Sequence, residues 1–418
     1  MSGQTEIMWE EDVLEGLVLT ENLQEEWKKT TLAGLIEVQN GYAFKSEEFS
    51  LAKGIPVIKI KNIASGELTL HGLQYYPHSV DKLSRFFIHK GDILIAMTGS
   101  HANQPSSIVG KVARYDQDEF ALLNQRVGKI YSVDEKVLDN NFIYWFFKQW
   151  DVTFELAVSA GGSANQANIS TAQIKALELE LPPILEQRAI AGVLSSLDDK
   201  IDLLHRQNST MEALAETLFR QRFVEEIKEE WEDGTLASIA TNVRSSVQAH
   251  NIDSVVKYVG LEHIERRSIA LINHGFGADV TSNKSAFQEK DILFGKLRPY
   301  FHKVCFASFS GVCSTDILVI RAKRQDLSAY CLFAFFQNDV VEYANLGSGG
   351  TRMPRTDWKT LSQYAIKVPP PQQLADFNAI VKPALSKIAS NIRLVNTLSN
   401  LRDTLLPKLM SGEVRVAY

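Results

Sequence analysis

Four groups of polar residues have the side chains that reach nucleic-acid grooves. They are Lys59, Lys61 and Asn62; Ser163, Asn165, Gln166 and Asn168; Lys296, Arg298 and Tyr300; and Thr351, Arg352 and Arg355. Lys and Arg neutralise phosphates, while Arg, Lys, Asn and Gln read base edges by paired hydrogen bonds. The second and fourth groups follow glycine loops, Gly161-Gly162 and Gly347-Ser348-Gly349-Gly350, whose backbone N–H groups suit phosphate oxygens. No catalytic motif accompanies them. G-x-x-x-x-G-K-[ST], H-E-x-x-H and the Asn-Pro-Pro-aromatic tetrapeptide of amino-methyltransferases are all missing, and no Pro precedes an Asp as a nuclease carboxylate cluster would require. Catalysis is therefore expected from another chain.

The elements that position these groups occur twice. Trp27-Lys-Lys-Thr-Thr31-Leu32-Ala33 recurs as Trp231-Glu-Asp-Gly-Thr235-Leu236-Ala237, and Gly91-Asp92-Ile93-Leu94 as Lys290-Asp291-Ile292-Leu293. The aromatic runs Phe142–Gln149 and Cys331–Asn338 each precede a glycine loop. Pro182-Pro183 and Pro369-Pro370-Pro371 come next, each opening a long helical pattern. Within each globule short β-type runs, such as 55–60, 92–97 and 317–320, alternate with turns. The aromatic runs are expected to form one buried core helix per globule rather than a base-stacking platform.

After Pro183 the seam positions are Ile190, Leu194, Leu197, Ile201, Leu204, Asn208, Met211, Ala215 and Leu218. After Pro371 they are Phe377, Val381, Ala384, Ile388, Asn391, Val395, Leu398, Arg402 and Leu405. Alternating steps of four and three are those of a coiled coil, and Asn208 and Asn391 are the seam residues that fix register. Pro383 is expected to kink the second helix or split off its first turn, and Pro407 with Gly412 to stop it. Residues 184–230 are net −4 and residues 372–418 net +3, so each helix is the natural partner of the other as an antiparallel pair. The order is thus an acidic leader, 1–26; a first globule, 27–183; a central helix, 184–230; a second globule, 231–371; and a C-terminal helix, 372–418. The fold class is α+β, with two mixed, largely β globules separated by two long antiparallel coiled-coil helices in an internal pseudo-twofold repeat.

Of the 418 residues, 1–26 carry eight acids and no base, so the net charge of −6 leaves +2 for the rest. That near-neutral body neither supports nor excludes a DNA partner. No apolar run spans a bilayer, and three cysteines without C-x-x-C spacing fit a reducing cytoplasm and neither a disulfide framework nor a zinc site.

Pro182-Pro183, Glu186-Gln187-Arg188 and Leu197-Asp198-Asp199-Lys200-Ile201 resemble the central conserved region of the specificity subunit of type I restriction-modification enzymes. The stretch from Val368 to Glu413 is similar to that family's second conserved region, departing from it with Gln372-Gln373 where Glu-Gln is usual. Lys296-Leu297-Arg298-Pro299-Tyr300 and both glycine loops resemble its target-recognition domains. The resemblance covers about residues 27–415. It implies a non-catalytic, cytoplasmic reader of double-stranded DNA in which each globule reads one half of a gapped site and the helices set the gap. It further implies docking of two modification subunits through the helices, with Glu186, Gln187, Leu197, Ile201, Asn208, Ile388 and Asn391 as interface candidates. No cofactor or metal is expected on this chain. S-adenosylmethionine belongs to the modification subunits, and ATP with Mg to a restriction subunit. A stand-alone DNA methyltransferase would differ by binding S-adenosylmethionine itself, and a protein-only scaffold by failing to shift random duplexes.

Overall fold

The computed structural model describes residues 26–101, 109–163, 166–349 and 353–417, with Ser163 described in its backbone only. The chain divides into two compact units. Unit 1 comprises residues up to Asp198 together with Asn400–Tyr418, and unit 2 comprises Asp199–Ser399.

Each unit is closed by pairing its first strand with its last. In unit 1 Lys28–Thr31 runs antiparallel to Glu178–Leu181, with Lys28 opposite Leu181. In unit 2 Glu232–Thr235 does the same with Ala365–Val368. The repeated Trp-x-x-x-Thr-Leu-Ala segments therefore serve as entry strands. Inside this tie, unit 1 has a four-stranded sheet ordered Ile36–Asn40, Val127–Ser132, Ile93–Ala96, Val112–Arg114. Unit 2 repeats it as Ala240–Asn242, Ile317–Ala322, Ile292–Gly295, Val304–Phe306. A second sheet in each unit contains one parallel pair, Val57 opposite Leu122 and Tyr258 opposite Val312. The strands carrying continuous apolar runs are buried on both faces, as with Ile93–Ala96 and Ile292–Gly295.

The repeated Asp has one task in both units. Asp92 accepts from the His89 backbone N–H at 2.8 Å and pairs with Lys129 at 3.0 Å. Asp291 accepts from Gln288 N–H at 2.8 Å and holds Arg321 through two contacts of 2.6 and 2.8 Å. The preceding residue sits in the left-handed region, Gly91 at φ +95° and Lys290 at φ +73°.

The aromatic runs form buried helices as expected. In α1 (Asn140–Lys148) every residue from Phe142 to Phe147 is buried. The long helix α2 (Ile184–Arg220, 37 residues) follows the diproline. The second aromatic helix, α3 (Ser328–Phe336), is buried from Ala329 onward, and α4 (Pro371–Met410) has 40 residues.

Two helix limits differ from expectation. α2 stops at Arg220 and passes through a wide turn, Gln221–Glu225, rather than running on to residue 230. Phe223 and Trp231 are drawn into the unit 2 core, and the intervening acids Glu225, Glu226, Glu229 and Glu230 repel one another along a helix. α4 runs unbroken through both Pro383 and Pro407 and ends just before Gly412, at φ +75°. Pro383 removes only the bond to Ala379 C=O, and the flanking Val381 and Ile388 are fully buried, which offsets the loss.

Both units contain an antiparallel stretch of α2 against α4. In unit 2 Phe219 meets Phe377 with ring centroids 6.0 Å apart, Asn391 Nδ2 donates to Asn208 Oδ1 at 2.9 Å, and Ile201 and Leu204 pack with Val395. In unit 1 Arg402 pairs with Asp198, and Arg415, beyond the end of α4, reaches Glu186 near the start of α2. Asn208 Nδ2 and Asn391 Oδ1 are buried without a partner among the described residues. Replacing Asn391 alone by Leu orphans the remaining amide group of Asn208. It should lower stability by roughly 1–3 kcal/mol in urea unfolding, whereas the double Leu variant should match or exceed the parent.

Glu212 on α2 is buried, accepting from Ile269 N–H at 2.7 Å and Ser268 Oγ at 3.1 Å. Desolvation outweighs these bonds and raises its carboxyl from 4.5 to about 7. The folded chain therefore keeps a proton that the unfolded chain releases. Stability from this group is present below pH 4.5 and is lost as pH rises towards 7. Glu212→Gln should remove up to about 3 kcal/mol of that pH dependence, read from urea midpoints between about pH 5 and pH 8.

Candidate nucleic-acid interface

In each unit the strand that follows the Asp-Ile-Leu segment runs out of the core and meets the glycine loop. In unit 1 the three-stranded sheet Gly161–Ser163, Gln166–Asn168, Thr98–Gly99 forms this joint, with Asn168 opposite both Gly161 and Thr98. Its backbone bonds are Met97 N–H to Arg126 C=O at 3.0 Å and Ile169 N–H to Met97 C=O at 3.1 Å. In unit 2 Arg355 lies opposite both Gly349 and Leu297. The corresponding bonds are Lys296 N–H to Asp316 C=O at 2.9 Å and Thr356 N–H to Lys296 C=O at 3.0 Å. Met97, Thr98, Arg126 and Asn168 thus occupy the places of Lys296, Leu297, Asp316 and Arg355.

The side chains on this shared backbone differ. In unit 1 Arg126 Nη1 donates to Thr98 Oγ1 at 3.1 Å and to Asn168 Oδ1 at 3.0 Å. In unit 2 the charges trade places, and Arg355 Nη2 pairs with Asp316 at 3.1 Å. Arg126, Gln166, Asn168 and Arg355 are exposed, and Lys296 and Arg298 are half-buried. Beside the unit 2 joint, Arg298 and His302 both adopt left-handed conformations, at φ 52° each. They flank the turn Pro299–Phe301, in which Tyr300 is exposed. Burial lowers the His302 imidazole to about 4, with the Arg267 charge next in weight. The neutral ring donates from Nε2 to Phe336 C=O at 2.8 Å. Arg298 Nε is buried without a partner among the described residues. Non-glycine residues in this conformation store strain, which concentrates at ligand-binding turns.

Structure thus brings two of the sequence candidates' groups together in unit 2, Lys296 and Arg298 with Arg355, and joins Gln166 and Asn168 to Thr98 and Arg126 in unit 1. Asn165, Thr351 and Arg352 lie outside the described residues, as does the leader up to residue 25, and the backbone of Ser163 lies in the joint. Asn62 is corrected. It is fully buried, its Oδ1 accepting from Lys59 N–H and its Nδ2 donating to Thr69 C=O, so it shapes its own loop. Lys59 lies 3.3 Å from the Phe49 ring centroid and reaches Gln74, and burial then the Lys61 charge lower its pKa. Lys61 reaches Gly72 C=O. Sequence reading missed Thr98, Arg126 and Asp316. Carrying the Gly91/Lys290 match six residues further pairs Met97 with Lys296, which is the signal for the first strand of the joint.

The interface candidates on the helices are also corrected. Glu186, Gln187, Leu197, Ile201, Asn208, Ile388 and Asn391 are all buried within this chain. Gln187 accepts from Asp139 N–H and donates to Val137 and Pro182 carbonyls, while Glu186 takes Trp27 Nε1 and Arg415. Ile201, Asn208 and Asn391 are taken up by the packing of α2 on α4 within unit 2, and Gln187 by the segment before α1. In contrast, Gln372 at the start of α4 is exposed and bonds Asp376 in its own helix. Outward on the helices are Leu185, Leu203, Leu214, Ile380 and Leu394, each more than a third exposed.

The type I restriction modification DNA specificity domain family matches this chain twice, over residues 24–213 and 228–400. The chain belongs to that family. Its role is DNA sequence specificity within type I restriction-modification. The specificity chain is 25% identical over 309 residues to the type I restriction enzyme MjaIX specificity subunit of Methanocaldococcus jannaschii, covering 66% of this chain and 69% of that protein. Against the EcoKI specificity subunit of Escherichia coli K12 it is 22% identical, covering 95% of this chain and 91% of that one. The MjaVIII specificity subunit is matched over 44% of its length, at 28% identity. Its fold is that of the crystallised type I restriction-modification S subunit from M. genitalium, with a TM-score of 0.61 at 18% identity over 94% of this chain and 98% of that one. Among the described residues of the specificity chain no helix is long and apolar enough to cross a membrane.

Because the buried Glu186 carboxylate accepts from Trp27 and holds the half-buried Arg415, Glu186→Ala removes these bonds and should cost roughly 1–3 kcal/mol in thermal or urea unfolding. Leu185→Asp, on the exposed side, should leave the melting profile unchanged.

Proposed function

We propose that this chain is the non-catalytic DNA-reading subunit of a type I restriction-modification complex. The carrying observation is the joint found once in each unit, with the same backbone bonds and different exposed side chains. One backbone design with two sets of polar tips suits two different half-sites of one duplex. The reading domains are residues 27–183 and 231–371. Lys61, Gln166, Asn168, Lys296, Arg298, Tyr300 and Arg355 are the contacts proposed from the described residues, with Ser163, Asn165, Thr351 and Arg352 on the same loops. Lys59 contributes charge from the edge of its loop. The strain at Arg298 and His302 supports a ligand-facing role for that turn.

The helices α2 and α4 form an antiparallel coiled coil that relates the reading domains by a pseudo-twofold and fixes the gap between half-sites. Two modification subunits dock on its outer face, where Leu185, Leu203 and Leu214 are exposed. They bring S-adenosylmethionine, and a restriction subunit brings ATP and Mg. Leu185→Asp therefore reduces formation of the complex in size-exclusion chromatography without unfolding the chain.

The gap is the testable quantity. Adding seven residues to each helix keeps the seam in phase and lengthens it by about 10 Å. At about 3.4 Å per base pair the preferred gap grows by up to roughly three pairs, while both half-site sequences stay the same. Adding two residues to each helix breaks the phase and loses binding. The methylation profile of a host carrying the seven-residue variant decides this. An active variant that modifies only the original gap would show that the helices do not set the spacing.

A further inference from the structure

We infer that Arg126 and Arg355 are matched guanine readers, one in each half-site. This deepens the reading of the joints as DNA-facing and rests on it. A guanidinium occupies the same joint in both units although it is attached to opposite sides. In unit 1 it comes from the position next to the core strand, and in unit 2 from the loop strand. In each case the residue across the joint is an oxygen acceptor, Asn168 with Thr98 for Arg126 and Asp316 for Arg355. Both arginines are exposed, so these contacts fix orientation more than they add stability. A planar fork held in place before binding loses less freedom when it meets a planar pair of acceptors. Guanine offers such a pair, N7 and O6, on its major-groove edge.

The glycines opposite these positions point the same way. Gly161 pairs with Asn168, and Gly349 with Arg355. A Cβ on either would meet no described atom within 4 Å, and neither has a positive φ. Neither the packing among the described residues nor the backbone conformation requires glycine there. Bare backbone at the same place in both units leaves room for something outside the chain to come close.

The test selects duplexes from a randomised pool, using the full chain with its modification partner, at about 50 mM and about 200 mM salt. The parent complex should enrich one fixed guanine in each half-site. Arg126→Ala should lose discrimination at one of them by roughly 5–150-fold and keep the other half-site intact. Arg355→Ala should do the reverse. Arg126→Lys should not restore the guanine, because a point charge lacks the fork. Gly161→Ala and Gly349→Ala should melt like the parent and weaken binding of the selected sequence. The assignment is overturned if a parent half-site contains no fixed guanine. It is equally overturned if Arg126→Ala weakens all sequences alike with a salt slope smaller by about one, which marks a phosphate contact, or if Lys restores full selection, since the fork is then not what reads the base. Circular dichroism melts of each variant separate loss of contact from loss of fold. A parent complex that enriches no sequence at all removes the DNA-reading function itself, whereas an unchanged consensus in the folded variants removes only the arginines' role.

Discussion

A long helix with an apolar seam cannot stand alone in water, and this chain has two of them to cover. Within each unit a stretch of one helix is covered by the other, and that requirement bears on the division of the chain. Unit 1 needs residues 400–418 to cover the start of α2, where Leu405, Leu409 and Val416 are buried and Arg415 meets Glu186. Unit 2 needs the latter part of α2 to cover the start of α4, through Phe219, Phe223 and Phe377. Unit 1 is therefore discontinuous in sequence, while unit 2 is the single stretch Asp199–Ser399. The strand pairs that close each unit then fix where the helices leave it.

Inside the units the same economy recurs. Asp92 and Asp291 each cap a turn and hold a cation on the neighbouring strand, and from that anchored strand the chain runs directly into the joint. Varying the side chains at 126, 168, 316 and 355 therefore leaves the core bonds untouched. The backbone bonds through Met97 and Lys296 hold the joint whatever the tips are. Three buried cysteines, with Cys313 pushed up to about 12 by desolvation, serve this core as small apolar residues.

Much of the architecture was legible in the sequence because periodicity and repeats report on burial directly. The seam positions and the aromatic helices follow from residue spacing. The ends of the helices did not, because local signals lost to packing. Pro383 and Pro407 are helix breakers in isolation, yet the residues around them are buried firmly enough to carry the helix through. At the joints the glycine loops stood out, but Arg126 and Asp316 did not. They reach the joint through hydrogen bonds to residues far away in sequence, which no local pattern records. Asn62 looked like a groove-reading side chain because residue type does not reveal burial. Glu186 and Gln187 stand as partner contacts only through the family resemblance, which does not reveal burial either.

The discontinuity of unit 1 has a bearing on synthesis. Its first 198 residues leave the ribosome well before residues 400–418, which complete it. At roughly 5–20 residues per second, the intervening part of the chain takes about 10–40 s to make. During that time Asp198 on α2 lacks Arg402 and Glu186 lacks Arg415. The unit encoded first is therefore finished last, and its assembly waits on the final residues that belong to it.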